Sequence, residues 1–513
     1  VIPRRCAGIL IPLFALRSAG DCGRGDIGGL TGIGDLALAM GQQLIQLLPI
    51  DETPPGEASP YSAMSVLAID PRYIATALLP GGDAGRGSVA GGATLDPAQL
   101  SSVKDALLRS AFQHFKDHAA SEARSTLAVF AVANRAWLDD YALFRALQDH
   151  FREADWRRWP ESLRSRDAQA IADAQRAHAE AIEYYRFVQY VAHTQWSDAR
   201  EKLRRRGIYL GGDLAFSPSG SSVEVWAHQA MFDATRLVGA PPDAFSATGQ
   251  RWGLPMPDWA GMRASGFAFL RTRVRRAREL YDFLRVDHVV GLFRTFGYPL
   301  GENTTGAFDP RSEDAQLAQG EEILRVILEE AGPLRIIGED LGVIPPFVRA
   351  TLTRLGIPGY KIARWEREWS VPTAPFISLS AYPELALATT GTHDTETFAE
   401  WWETAGEQER RQFLEGMGIR DGSIVHKPSM TIDTLDRVLE AIYASPTALT
   451  IMPFQDLFGW KDRINVPGTV AVTNWRWRLP FDPARAVDDP EIRRRAAAIR
   501  GIAVRTRRFP APN

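Results

Sequence analysis

Five short stretches of the chain end in residues that can move protons or attack carbon. Asp213 closes GIYLGGDLAF (207–216). Arg285, Asp287 and His288 lie in FLRVDHVVG (283–291), and Glu339 and Asp340 stand side by side in LRIIGEDLG (334–342). His393 and Asp394 lie in ALATTGTHDT (386–395), and Gln455 and Asp456 in LTIMPFQDL (449–457). Unpaired charge is costly to bury, so this many acids at the ends of apolar runs points to a shared polar site. Two carboxylates about 5–5.5 Å apart are the equipment of a retaining glycosidase: one attacks the anomeric carbon, the other protonates the leaving oxygen and later deprotonates the acceptor. Arg285 lies two residues before Asp287, hence on the same strand face, where its charge favours an ionised attacker. The acid must instead hold its proton, which burial and nearby negative charge promote. Neighbours on a strand point opposite ways, so only one of Glu339 and Asp340 can aim at a common centre. The longer glutamate suits proton donation, and Asp340 is expected to turn toward a neighbouring loop or the substrate rim.

Such residues need a frame that gathers them. Three further apolar runs, GILIPLFAL (8–16), QLIQLLPIDET (43–53) and GYKIARW (359–365), bring the number to eight. Each reads as a buried parallel strand, too short for a helix. Amphipathic segments such as EEILRVILEEAG (321–332) and TLDRVLEAIYAS (434–445) lie between most of them. The alternation predicts an α/β fold, a (β/α)8 TIM barrel whose active site lies at the C-terminal strand ends. We expect one catalytic barrel domain over 1–513. A largely helical subdomain is expected over 81–206, and a loop and helix elaboration over 217–282. Phe245, Trp252 and Trp259 in the latter argue against disorder.

Composition narrows the function. A net charge of −3 leaves no footprint for nucleic acid or an anionic membrane. No run reaches the roughly 18 apolar residues of a membrane span. Two cysteines, Cys6 and Cys22, make no disulfide framework. The expectation is a soluble cytoplasmic protein. Carboxylates around a barrel mouth would also suit Mg²⁺, an alternative that the residue types leave open.

The motifs carry a resemblance. SPYSAMSVLAIDPRYI, GIYLGGDLAF with VEVWA, GAPPDAFSATGQRWGLP, RVDHVVGLFR, IIGEDLG, GTHDTETFAEWW and RINVPGTVAVTNWRWRLP occur in that order. Together they resemble the 4-α-glucanotransferases of amylomaltase or disproportionating-enzyme type, glycoside hydrolase family 77. The resemblance implies transfer of α-1,4-glucan segments between maltooligosaccharides, with no cofactor and no metal. It implies Asp287 as nucleophile, Glu339 as general acid/base and Asp394 as a third carboxylate holding hydroxyls of a distorted glucose. It further implies Tyr61, Asp213, Arg285, His288 and His393 around that sugar, Gln250 and Trp252 in an acceptor-side loop, and Asn465 at the acceptor; Asp340, at the rim, is counted with the substrate-binding residues. An α-1,4-glucan hydrolase would share the same trio, and a glucan-binding protein without catalysis is a further alternative. The chain departs from the family pattern at Arg24, Asp70, Ser221 (in Ser221-Ser222, where Asp-Ser is common), Glu224, Leu254 and Pro257, none of them in the trio. The sequence gives no oligomeric state.

Overall fold

A computed structural model describes residues 2–79, 96–242, 249–301, 304–420, 422–469 and 471–511. Eight parallel strands form the central sheet: β1 Cys6–Leu10, β2 Leu44–Gln46, β3 Tyr209–Leu214, β4 Phe283–Val286, β5 Arg335–Gly338, β6 Gly359–Ile362, β7 Ala386–Thr389 and β8 Leu449–Pro453. Their order is β5-β4-β3-β2-β1-β8-β7-β6. The two end strands meet through the Gly338 N–H, which donates to Pro358 O at 3.0 Å, and the sheet is a nearly closed (β/α)8 barrel. All eight expected strands are present. β1 begins and ends earlier than the expected 8–16, because Leu13–Ala15 forms a 3-10 turn after Pro12.

The strands are buried on both faces, which is why they read as unbroken apolar runs. Two glycines on β3 show how tight the interior is. A Cβ on Gly211 would lie 2.1 Å from the Phe283 ring, and one on Gly212 would lie 2.2 Å from the Tyr281 ring. Both aromatic residues flank or begin β4, so the Gly-Gly pair lets strand and rings approach closely.

Between β2 and β3 the described part of 81–206 is helical. It includes Pro97–His118, Ser121–Ala133, Arg135–Phe151, Ala168–Ala177 and Ala179–Arg205. Asp96 and Gln99 cap the first of these reciprocally. The expected 217–282 elaboration differs from a set of loops and helices. It contributes two long strands, Phe232–Ala240 and Gln250–Pro257, to a four-stranded antiparallel sheet completed by Thr295–Pro299 and Ala307–Asp309. Helices Trp259–Ala264 and Ala268–Leu280 then lead into β4.

The two ends of the barrel are finished differently. At the base, where strands begin, Arg508 is 1% exposed. Its guanidinium donates to the carbonyls of Tyr443, Cys6, Ala448, Ser445 and Thr447 at 2.6–3.4 Å. Arg5 adds bonds to the Thr447 and Tyr443 carbonyls at 3.0 and 2.9 Å. The polar residues that could do chemistry lie at the other end. Among the described residues no helix is long and apolar enough to cross a membrane.

Candidate active site

β3 and β4 pair in parallel with Asp213 opposite Arg285, so the two side chains leave the sheet together. Arg285 Nη1 lies 2.5 Å from Asp213 Oδ2 and 2.8 Å from Asp287 Oδ1, and Nη2 lies 4.0 Å from Glu339 Oε2. One buried guanidinium thus touches or faces three carboxylates from three consecutive strands. Burial alone would weaken its charge, but Asp213 and Asp287 hold its pKa well above the ordinary arginine value. Burial raises the Asp213 carboxyl against the pull of Arg285. Asp213 Oδ2 also accepts the Tyr61 hydroxyl at 2.7 Å.

Glu339 follows β5 directly. Its backbone N–H donates to Val286 O at 3.0 Å, which keeps it beside the end of β4. Its carboxylate accepts the His288 N–H at 2.8 Å on Oε2 and the Leu341 N–H at 3.2 Å on Oε1. His288 has φ +45°, the left-handed region that non-glycine residues rarely occupy, and that turn lets its amide donate to Glu339. Burial pushes Glu339 up to about 7, the Asp287 charge works in the same direction, and Arg285 opposes both. A carboxyl so placed can give a proton and take one back near neutral pH.

Asp340 requires a correction. The expectation that it binds substrate with the others does not fit its surroundings. Its Oδ1 accepts the Tyr360 N–H at 2.6 Å and its Oδ2 pairs with Arg349 Nε at 3.1 Å. A Cβ on Gly359 would sit 2.7 Å from Asp340 Oδ1, so the bare backbone at the start of β6 admits the carboxylate. Strand alternation turned this side chain into the β5–β6 seam, where it helps to close the barrel.

β7 delivers His393 and Asp394. His393 Nε2 lies 3.3 Å from Asp394 Oδ2, and Asn465 Nδ2 donates to Asp394 Oδ1 at 2.6 Å. Against partial desolvation of its half-exposed carboxylate, His393, Asn465 and Arg285 hold Asp394 down to about 2. Tyr61 stacks on His393 with ring centres 5.2 Å apart and planes 15° apart. Trp475 closes this wall at 5.8 Å from Tyr61 and 5.9 Å from His393. Sequence reasoning missed Trp475 as a site residue. The Trp-Arg-Trp-Arg run inside the last motif was a signal, but nothing in it said which tryptophan faces the mouth. Its φ of +61° marks a backbone held in place by its neighbours, with its N–H donating to Ile464 O at 2.8 Å.

On the opposite rim Trp252 meets His288 edge to face at 4.9 Å, and its indole N–H donates to Gln250 at 3.1 Å. Phe245 and its neighbours 243–248 lie outside the described residues. Two further residues that the sequence grouped with the mouth bond within the fold: Asp456 accepts the Phe398 N–H at 2.7 Å and the Thr390 hydroxyl at 2.5 Å, and Gln455 donates to Asp462 O at 3.2 Å.

Known proteins share this sequence pattern and this fold. The sequence profile of the family described as 4-alpha-glucanotransferase, glycoside hydrolase family 77, matches residues 11–483. The chain is 30% identical over 495 residues to a 4-alpha-glucanotransferase of Chlamydia pneumoniae, covering 92% of this chain and 91% of that protein. It is 32% identical over 456 residues to one from Thermus thermophilus, covering 85% and 87%. The structure of an amylomaltase from Streptococcus agalactiae in complex with acarbose superposes with a TM-score of 0.83 at 27% identity, over 98% of this chain and 100% of that one. On these grounds the chain belongs to the 4-alpha-glucanotransferases of glycoside hydrolase family 77, and is a glycosyltransferase built on a (β/α)8 barrel.

Proposed function

We propose that the protein moves α-1,4-glucan segments between maltooligosaccharides by double displacement with retention. The observation that carries the mechanism is the division of labour around Arg285. Asp287 is ion-paired with it at 2.8 Å, while Glu339, 4.0 Å away, is pushed up to about 7. Asp287 attacks C1 of the donor sugar as a carboxylate. The glycosidic C–O bond breaks, and protonated Glu339 gives its proton to the departing 4-oxygen. The glycosyl chain is then held as an ester on Asp287. Glu339, now ionised, takes the proton of an incoming 4-hydroxyl. That oxygen attacks C1, the ester bond breaks, and Asp287 leaves as a carboxylate. Two inversions give retention.

The remaining groups bind and orient. Asp394, kept ionised and bonded to Asn465, accepts hydroxyl protons of the distorted sugar. Tyr61, His393 and Trp475 offer it an aromatic wall. Trp252 and Gln250, on the strand after the 243–248 segment, are placed to hold an acceptor sugar in line, which favours transfer over attack by water. Arg285 supplies the positive charge these carboxylates need, so the Mg²⁺ alternative has a weaker basis than it had from residue types.

The test is incubation with maltotriose in EDTA, with products resolved by chain length. A ladder of longer oligosaccharides with free glucose, and little net gain of reducing ends, is the expected result. Net reducing-end formation without longer products would mean hydrolysis and would overturn it.

A further inference from the structure

Glu224 stands outside the catalytic cluster, on the short helix Val223–Ala227 that follows the exit of β3. It is 2% exposed. Its Oε1 accepts the Ser65 hydroxyl at 2.6 Å and the Val66 N–H at 3.2 Å, 159 and 158 residues away in sequence. Ser65 Oγ in turn accepts the N–H groups of Leu67 and Ala68, both at 3.3 Å. Two backbone bonds run alongside: Ser219 N–H donates to Ala63 O at 3.1 Å and Val223 N–H to Met64 O at 2.9 Å. Glu224 Oε2 is buried without a hydrogen-bond partner.

A buried carboxylate with one idle oxygen is an expensive way to hold two segments together, since apolar packing would do so at less cost. What an oxygen acceptor adds is geometry: it fixes the register of 63–66 against the β3 exit. Tyr61 lies two residues before that grip. Its hydroxyl is bonded to Asp213 on the same β3, so both the ring tip and the backbone behind it are referred to one strand. We propose that Glu224 is a positioning residue for Tyr61: its hydrogen bonds to Ser65 and Val66 set the ring's place in the sugar-facing wall. The proposal rests on the reading of Tyr61 as a sugar-facing residue.

A double-mutant cycle on maltotriose disproportionation tests it, with kcat, KM and thermal midpoint measured for each variant. Glu224→Met keeps the volume but removes the acceptor. Glu224→Gln keeps an acceptor oxygen and serves as the rescue. Tyr61→Ala is expected to lower kcat/KM by about 100-fold and Glu224→Met by about 10-fold, the scale of a small misplacement at a reacting site. The double variant should be no worse than Tyr61→Ala alone, and Glu224→Gln should recover most of the loss. If the two losses multiply, or if Glu224→Met has wild-type kinetics at a lower thermal midpoint, Glu224 does not act through Tyr61 and the proposal is overturned. A harmless Tyr61→Ala would instead remove the reading of Tyr61 itself, and the proposal with it. Should Glu224→Met fail to fold, Ser65→Ala removes the other half of the bond and takes its place in the cycle, with the same outcomes.

Discussion

A deeply buried arginine marks each end of the barrel, and the two, Arg285 and Arg508, have opposite company. Arg285 at the mouth faces Asp213, Asp287 and Glu339. Arg508 at the base donates to five backbone carbonyls. The carboxylates hold the Arg285 pKa far above its ordinary value, whereas burial brings Arg508 down to about 9. Both are therefore cations at neutral pH, but only Arg285 stands among groups able to carry a full opposite charge. Those charges can be moved, spent and restored in a reaction. Carbonyl dipoles cannot, so the base arginine is a fastener.

That contrast is broken most severely by removing the acids at the mouth. Asp287→Ala should lower transfer on the order of 10^4-fold, and Glu339→Gln by about 10^2- to 10^4-fold, with circular dichroism unchanged. Substantial turnover in either would leave Arg285 as structural as Arg508. The next effect is on pH. Glu339 is raised to about 7, so its proton-donating form is complete below that pH and is lost as pH rises through it. kcat/KM should fall about tenfold per unit on the alkaline limb. A flat profile from pH 6 to 9 would mean that another group carries the proton.

At the base, Arg508→Met should cost about 3 kcal/mol by stranding buried carbonyls, read in denaturant unfolding, while kcat of the folded enzyme stays the same. A matching loss of kcat would join the two ends functionally. The smallest change is expected at the seam. Asp340→Asn keeps an acceptor for Tyr360 N–H, so activity should fall no more than a few-fold, about 1 kcal/mol in stability or transition-state binding. An effect as large as that of Glu339→Gln would reverse the assignment of the adjacent acids.

The barrel was legible because parallel strands covered on both faces must be continuously apolar, and all eight such runs are strands. The antiparallel sheet beside the mouth was not. Phe232–Ala240 is half-exposed, carries Asp233 and Arg236, and pairs irregularly, so neither apolar continuity nor clean alternation marks it. Its other neighbour, Thr295–Pro299, arrives only after β4. Within the site, strand alternation separated Glu339 from Asp340 correctly. It could not show that Asp340 would find Tyr360 N–H twenty residues on, or that Trp475 would reach Tyr61.

The base fastener has a consequence for biosynthesis. A ribosome makes β1 first, yet Arg508 reaches the Cys6 carbonyl from 502 positions later, and Asn465, which braces Asp394, is also a late arrival. Until β8 emerges, β1 has only β2 beside it and keeps one open edge, the feature through which strands of unfinished chains join one another. Premature termination upstream of β8 should therefore yield insoluble polypeptide with no fractional activity, and this enzyme should lean on chaperones during translation more than its final stability would suggest.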